Sequence, residues 1–445
     1  MSFNPFNEKP DKVSSFENWK QLTPRPYDKN AADPYTKVRI ILMNGTEFEA
    51  QWFLHNMARH VTNEELRREI AVVRRVEQQQ QKKIMNLKPK DESVLEHTIG
   101  YEQLAVDLTA LMAQNEPDEY IRKSLDFALL EDFDHLYRYA DLLEMDMGIR
   151  AERLVGKYTE IMPGRPTIAE HRFPTDDIKR RMDAKKASPL SKLHAMIITA
   201  AEQQTMNYYM NQGAFYELSD IGRKLYTEIA MIEEQHVSLY ESLMDSSTTW
   251  LECMLMHEYA ECYLYYSMLG DECDEEVKKI WEYNLKQEIA HLHYAVRLLR
   301  KYENKEWQQV IPDGTFPEPI SFSSMSEKNK AYIRKVLRNT VTQTASGDSW
   351  TEVSKLPDNA EFFRYNRRVN GNVAAVASHK VIDRYIMEAG EDYRFQECEH
   401  PVKDLRCRCE DNVDIGRVKN PEKAECPSPK TSKSGCRGKG KLEKN

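Results

Sequence analysis

Glutamate and histidine residues recur in the second half of the chain at spacings that are typical of metal ligands on packed helices. Two pairs have the pattern Glu-x-x-His, Glu233 with His236 and Glu288 with His291. The two members of a pair lie one turn apart on one helical face, so each pair can offer an oxygen and a nitrogen to the same ion. The same region contains two single glutamates that would bridge or cap a pair of ions, Glu202 and Glu258. The pattern predicts a dinuclear site, and iron and manganese both suit these donors.

The spacing between these residues favours antiparallel helical hairpins. Each single glutamate precedes a Glu-x-x-His pair, by 31 residues in the first case and by 30 residues in the second. With a rise of about 1.5 Å per residue, two ligands reach the same height only when the turn lies near the middle of such an interval. Helix-capping and helix-breaking residues occur near both midpoints, at 217–220 and at 270–274. We therefore expect two hairpins that together form a four-helix bundle.

An alternative is that these acids belong to solvated helix surfaces, where Glu-x-x-His also occurs by chance. Their neighbours argue against this interpretation, because Ile229 and Ile232 precede Glu233 and Ile289 follows Glu288. Charged groups that face an apolar core need a charged partner or a metal ion. We therefore interpret the pattern as a buried metal site.

Two segments of this region resemble the rubrerythrin family. Residues 201–209, Ala-Glu-Gln-Gln-Thr-Met-Asn-Tyr-Tyr, resemble the first-helix segment of rubrerythrins, and residues 257–263, His-Glu-Tyr-Ala-Glu-Cys-Tyr, are similar to their third-helix motif HEYxExY. The resemblance covers about 190–303 and implies a ferritin-like four-helix bundle whose di-iron centre reduces hydrogen peroxide or dioxygen. It also implies a set of seven metal ligands, which are Glu202, Glu233, His236, Glu258, Glu261, Glu288 and His291.

The same resemblance identifies two catalytic candidates. It implies that Glu261 is a variable ligand that exchanges with a histidine when the redox state changes, and Tyr263 follows Glu261 in the motif. Rubrerythrins usually carry a rubredoxin module with two Cys-x-x-Cys pairs, whereas this sequence contains no Cys-x-x-Cys. We therefore expect an external electron donor, such as a rubredoxin or a reductase. Two alternatives remain, a di-iron oxygenase that acts on an organic substrate and a non-catalytic iron-binding or structural protein.

An internal repeat with an offset of 156 residues relates the two halves of the chain. Six first-half residues correspond to second-half ligands at this offset or within one residue of it, namely Glu47, Glu77, Gln80, Glu102, Asp132 and His135. Gln80 replaces a histidine, and a neutral amide is a poor ligand for a transition metal. We therefore predict that the first repeat is a structural bundle without a metal centre. The alternative is an altered site built from Glu102, Asp132 and His135.

The predicted fold is all-α, with two tandem ferritin-like four-helix bundles and irregular N-terminal, linker and C-terminal extensions. The first bundle should span 45–147, with helices near 46–59, 62–86, 92–115 and 117–147. The other predicted segments are an N-terminal arm at 1–44, a linker at 148–188, the second bundle with the complete metal site at 189–305, a helical extension at 306–395 and a tail at 396–445. The extension should contain helices near 326–343 and 372–388.

The tail is rich in cysteine and lysine, and we predict that it is disordered. Its five cysteines are Cys398, Cys407, Cys409, Cys426 and Cys436. Cys398 with His400, and Cys407 with Cys409, could donate to a zinc ion, although their spacing matches no standard zinc finger or ribbon. Reduced thiols are the expected state of these cysteines in a cytosolic protein.

Composition and charge exclude several classes of function. Of the 445 residues, 30% are charged, and the net charge is -9, which argues against broad nucleic-acid binding because phosphate neutralisation needs a basic face. No apolar run approaches the 18 residues or so that a membrane-spanning helix needs, and the first residues lack a signal-peptide pattern. We therefore expect a cytoplasmic protein without a membrane partner. Helical bundles of this kind also favour assembly into a homo-oligomer.

Overall fold

A computed structural model describes residues 3–161, 164–165, 171–340, 342–371 and 376–390. The predicted tail at 396–445, with its five cysteines, lies outside the described residues. In chain order, the α-helices are α1 (Pro34–His60), α2 (Glu64–Met85), α3 (Val94–Asn115), α4 (Glu119–Met147), α5 (Glu152–Val155), α6 (Pro189–Phe215), α7 (Asp220–Ser242), α8 (Trp250–Asp271), α9 (Glu275–Glu303), α10 (Phe322–Thr340), α11 (Glu361–Val369) and α12 (Ala377–Ala389). A short antiparallel hairpin of β1 (Gln343–Ser346) and β2 (Ser349–Glu352) follows α10. The predicted helical class is confirmed.

Helix boundaries follow the capping residues of the sequence. Ser219 caps α7 by accepting a hydrogen bond from the backbone N–H of Gly222 at 3.1 Å, as predicted for the first midpoint. Helix α1 begins earlier than predicted, at Pro34 instead of near residue 46. The reason is local, because Asp33 accepts a hydrogen bond from the Tyr35 N–H and the proline occupies the first helical position, where its missing N–H costs nothing.

Eight long helices form four antiparallel hairpins, α1–α2, α3–α4, α6–α7 and α8–α9. The hairpins combine in pairs that cross the repeat boundary. Helices α3 and α4 pack with α6 and α7, and helices α1 and α2 pack with α8 and α9. Side-chain contacts between buried residues define both groups, such as Tyr209 to Glu102 in the first and Tyr265 to Glu47 in the second.

This arrangement differs from the expected division into one bundle per repeat. Each four-helix group takes its first hairpin from one half of the chain and its second hairpin from the other half. The sequence repeat is compatible with this pairing, because equivalent hairpins with equivalent apolar faces could exchange, as in a domain swap. The two groups contact each other through α1 and α6, where Asn44 Nδ2 donates to Gln204 Oε1 at 2.7 Å and Gln204 Nε2 donates to the Ile41 carbonyl at 2.8 Å.

The remaining segments cover the two groups. Helices α10 and α12 lie where two helical stretches were predicted, and Asn329 of α10 donates to the Asp107 carbonyl of α3 at 3.1 Å. The N-terminal segment packs on the other group, with Phe6 stacked on Trp307 at a centroid distance of 3.8 Å. Across the described ranges, none of the helices combines the length and the apolar character that crossing a bilayer would require.

Candidate metal centres

Six buried residues converge inside the group formed by α3, α4, α6 and α7, and we refer to them as cluster 1. Its members are Glu102, Asp132, His135, Glu202, Glu233 and His236. Each side chain is at most 1% exposed. Two helices each supply a single glutamate, and the other two each supply an acid followed three residues later by a histidine. This is the donor pattern that di-iron and di-manganese carboxylate bundles use.

Cluster 1 contains two adjacent groups of potential ligand atoms. Within each group, one ligand atom from every residue lies within 4.8 Å of the others. The first group consists of Asp132, Glu202, Glu233 and His236, and the second consists of Glu102, His135 and Glu233. Because Glu233 belongs to both groups, its carboxylate is placed to connect two ions. The arrangement therefore has the composition of a dinuclear site.

Helix pairing brings the two histidines of cluster 1 against acids of the facing helices. His135 Nδ1 of α4 lies 2.8 Å from Glu233 Oε1 of α7. His236 Nδ1 of α7 lies 3.1 Å from Asp132 Oδ1 of α4 and 3.6 Å from Glu202 Oε2 of α6. Every helix of the group thus contributes to one compact set of donors.

A charged network contacts His236 on the side of the ring that faces away from the rest of cluster 1, and it fixes the orientation of the ring. Its Nε2 lies 2.6 Å from Glu131 Oε2, so its Nδ1 faces cluster 1. Glu131 in turn contacts Arg172 and lies 3.7 Å from Arg165 Nη1. Burial alone would raise the pKa of Glu131, but Arg172 and His236 hold it well below the usual value. Metal-binding histidines are commonly fixed by a carboxylate on their second nitrogen in this way.

The electrostatics of cluster 1 favour a bound cation. Burial raises the pKa of Glu102 and Glu202 well above the usual value, and repulsion by Glu233 and Asp132 adds to this. Burial lowers the pKa of His236, but Asp132 raises it well above normal. Cluster 1 has therefore gathered more carboxylates than its own cationic groups can keep ionised. The four carboxylates of the cluster would neutralise two divalent ions.

Unpartnered atoms give an independent test of whether the residues of cluster 1 fit metal ions. Both carboxylate oxygens of Glu202, Oε2 of Glu102 and Nε2 of His135 are buried and form no hydrogen bond. Leaving a buried polar group unpaired costs about 1–3 kcal/mol, and more when it is charged. Coordination to divalent ions would satisfy these atoms, so the residues fit such ions.

Seven buried residues form a second, related set inside the group of α1, α2, α8 and α9, and we refer to them as cluster 2. Its members are Glu47, Glu77, Gln80, Glu258, Glu261, Glu288 and His291. One group of ligand atoms comprises Glu77, Glu258, Glu288 and His291, and the other comprises Glu47, Glu77 and Glu261. Glu77 is shared, and the 156-residue repeat makes it the equivalent of Glu233.

Contacts in cluster 2 again join the two halves of the chain. His291 Nδ1 of α9 lies 2.8 Å from Glu77 Oε1 of α2 and 3.1 Å from Glu288 Oε2. Gln80 Nε2 of α2 donates a hydrogen bond to Glu288. The replacement of a histidine by Gln80 therefore leaves this position inside the cluster.

The seven ligands expected from the resemblance do not converge on one point. Glu202, Glu233 and His236 lie in cluster 1, while the others lie in cluster 2, namely Glu258, Glu261, Glu288 and His291. The physical reason is the exchange of hairpins between the repeats, which separates α6 and α7 from α8 and α9.

The first-half residues, which were expected to form a bundle without a centre, complete both clusters. Glu102, Asp132 and His135 complete cluster 1, and Glu47, Glu77 and Gln80 complete cluster 2. The alternative prediction grouped Glu102, Asp132 and His135, and these three residues lie together in cluster 1. It lacked the three partners that α6 and α7 supply.

The tyrosine candidate is displaced from both clusters. The Tyr263 hydroxyl donates a hydrogen bond to the Glu318 carbonyl at 2.7 Å, outside the ligand groups. Instead, Tyr209 donates to Glu102 of cluster 1, and Tyr265 donates to Glu47 of cluster 2. Each of these tyrosines follows the single glutamate of its helix by seven residues, which is two turns along the same face. The seven-residue spacing from Glu258 could have identified Tyr265 from the sequence as a residue facing the cluster.

Comparison of the chain with models of protein families, with curated proteins and with solved structures found no match. The resemblance to rubrerythrins therefore rests on the residues of the two short segments at 201–209 and 257–263.

Proposed function

We propose that the protein is a non-haem dinuclear oxidoreductase that reduces hydrogen peroxide or dioxygen at cluster 1, with two iron ions or, alternatively, manganese. The observation that carries the proposal is the position of Glu233, which belongs to both ligand groups of a fully buried set with two histidines. A shared carboxylate between two oxygen and nitrogen donor sets is the arrangement that holds two ions side by side.

The residues of cluster 1 divide into two coordination sets. Asp132, Glu202 and His236 would hold one ion, Glu102 and His135 would hold the other, and Glu233 would bridge them. Two bound redox-active ions can together supply the two electrons that a peroxide takes up. The four buried carboxylates balance the charge of the ions, and Glu131 and Arg172 keep His236 in position.

Tyr209 provides a protonated group beside this site. Its hydroxyl donates to Glu102 Oε1, and burial together with the Glu102 charge raises the pKa of Tyr209 well above the usual value. The proton is therefore retained on the phenol oxygen. Conversion of hydrogen peroxide to two water molecules consumes two electrons from the ions and two protons from solvent, and the Tyr209 hydroxyl, which keeps its own proton, is placed to stabilise negative charge on Glu102 through its hydrogen bond.

The enclosure of cluster 1 favours a small oxidant over an organic substrate. Its side chains are almost completely buried. An oxygenase acting on an organic molecule needs a cavity beside its ions. Peroxide and dioxygen require much less space.

Electrons must come from outside the clusters. The sequence has no Cys-x-x-Cys, so an internal rubredoxin-type donor is not encoded in it. We propose that a separate rubredoxin or reductase restores the reduced ions after each turnover. The competing proposal is a protein that binds iron without rapid turnover.

The test is rapid mixing of the iron-loaded, anaerobically reduced protein with peroxide and, separately, with dioxygen, followed by absorbance. Fast reoxidation by one oxidant, lost in Glu233→Gln and retained in Glu234→Gln, would support the proposal, since Glu234 is exposed on the same helix. Iron that is bound but reacts with neither oxidant would favour the non-catalytic alternative.

A further inference from the structure

We infer that cluster 2 is a second dinuclear site in which the position formed by Glu47, Glu77 and Glu261 uses oxygen donors alone and selects a hard divalent cation such as Mn²⁺. This inference does not depend on redox turnover at cluster 1. It concerns which ion the protein takes up, and it makes the two clusters chemically different.

The repeat locates the difference in donor type between the clusters at two residues. At the offset of 156, His236 of cluster 1 corresponds to Gln80 of cluster 2, and Ala105 corresponds to Glu261. Cluster 2 has therefore lost an imidazole on α2 and gained a carboxylate on α8. Both changes replace nitrogen or apolar character with oxygen. Glu261 lies in the ligand group that contains Glu47, and Gln80 takes the place of His236, whose own group includes Glu202, the counterpart of Glu47.

The donor atoms of this position lack other partners. Both carboxylate oxygens of Glu261, Oε2 of Glu47 and Oε1 of Gln80 are buried and form no hydrogen bond. The Gln80 side chain is 0% exposed, and its Nε2 donates to Glu288, which leaves its buried carbonyl oxygen without a hydrogen bond. Buried oxygens of this kind need either a proton or a cation.

The ligand chemistry predicts the type of ion. Carboxylate and carbonyl oxygens suit manganese, magnesium and calcium, whereas imidazole favours zinc, copper and iron. Calcium takes six to eight oxygen ligands, more than the residues gathered here provide without water. The only histidine of cluster 2, His291, lies in the other ligand group, with Glu258 and Glu288. The two positions of cluster 2 should therefore differ in their preference.

The experiment compares Mn²⁺ and Zn²⁺ binding to the full chain after removal of its metals, under anaerobic conditions. Bound Mn²⁺ is followed by electron paramagnetic resonance, and total metal is measured by elemental analysis. All measurements use the His135→Ala background, which weakens cluster 1. On that background, the variant Gln80→His with Glu261→Ala gives cluster 2 the donor types of cluster 1. A matched control is Glu116→Gln, which alters a buried glutamate outside both clusters.

The expected result is that the swapped variant binds Zn²⁺ more tightly relative to Mn²⁺ than its parent does, by about tenfold or more. The Glu116→Gln control should keep the parent ratio. An unchanged ratio in a variant that still melts cooperatively would overturn the inference. Binding of neither Mn²⁺ nor Zn²⁺ at cluster 2 in the His135→Ala parent would also overturn the inference. Cluster 2 would then be only a hydrogen-bonded group of protonated acids. Neither outcome affects the proposed function, because loss of oxidant reactivity at cluster 1 is measured separately.

Discussion

His135 Nδ1 lies 2.8 Å from Glu233 Oε1, and this contact joins α4 of the first repeat to α7 of the second. Neither repeat contains a complete ligand set of its own. The pairing of hairpins from different repeats assembles both sets, so metal binding at either cluster would depend on the association of the two halves of the chain. Ions bound at the clusters should therefore stabilise the folded chain as a whole, since binding to the native state alone adds to its stability.

The first prediction concerns the shared carboxylate. Glu233→Gln should lower the metal content of cluster 1 by about two ions per chain, because both ligand groups use Glu233. Glu202→Gln should remove about one ion, since Glu202 belongs to one group only. Elemental analysis of the purified variants measures this difference. Equal losses in the two variants would argue against a bridging role for Glu233.

The second prediction concerns the network behind His236. Glu131→Gln removes the carboxylate charge that lies 2.6 Å from His236 Nε2. We expect about a 10–100-fold loss of affinity for the ion on the His236 side, because support of this kind usually contributes that much. Competition with a coloured chelator gives the affinity. Ser238→Ala, a change at a half-buried position of α7, should leave the affinity unchanged.

The third prediction distinguishes the role of Tyr209 from that of Tyr263. Tyr209→Phe removes the hydroxyl that donates to Glu102 and keeps the ring, so metal content should stay the same while reoxidation slows by about tenfold or more. Tyr263→Phe should react at the parent rate, because its hydroxyl contacts the Glu318 carbonyl instead. Stopped-flow traces with peroxide distinguish the two. A slow Tyr263→Phe variant with a normal Tyr209→Phe variant would reverse this assignment.

The fourth prediction concerns a buried acid outside the clusters. Burial raises the pKa of Asp107 to about 7, although Thr159 and Tyr35 donate to its Oδ2 at 2.6 and 3.0 Å and oppose the shift. The unfolded chain releases this proton near pH 4, whereas the folded chain holds it until about pH 7. The folded state thus binds more protons in this window, and its stability falls there as pH rises, by up to about 1.4 kcal/mol per pH unit.

The comparison that tests this is thermal unfolding of the parent and of Asp107→Asn between pH 4 and pH 8. The asparagine keeps the shape of the side chain and cannot ionise. Its melting temperature should rise relative to the parent as pH increases, and the difference should level off above about pH 7. A difference in melting temperature that does not change with pH would contradict this prediction. It would show that the pKa of Asp107 is the same in the folded chain as in the unfolded chain.

Local sequence signals were sufficient to predict most of the long helices and the segment that caps α7. Ser219 caps α7 as its position suggested, and the repeat identified Glu77, Asp132 and His135 as relatives of the second-half ligands. These signals act within one helix or one turn. They are the same whether a hairpin packs on its own repeat or on the other one, so they contain no information about the exchange.

The position of the Tyr263 hydroxyl outside the ligand groups has a geometric reason. Tyr263 is two residues after Glu261, which places it on the opposite side of α8, whereas Tyr265 is four residues after Glu261 and shares its face. The order of residues in the motif favoured Tyr263, which is nearer to Glu261 in the sequence. Helical periodicity, applied to α8 alone, would have pointed to Tyr265.

The iron content of His135→Ala, measured beside that of His194→Ala, tests most directly whether first-half residues complete cluster 1. Both variants remove a buried imidazole that lies within 2.8 Å of a glutamate, but His194 contacts Glu116 away from either cluster. We predict that His135→Ala, loaded anaerobically, loses iron from cluster 1 and its rapid reoxidation, while His194→Ala retains both. Full iron content and parent-like reoxidation in His135→Ala would contradict the assembly of this centre across the two repeats.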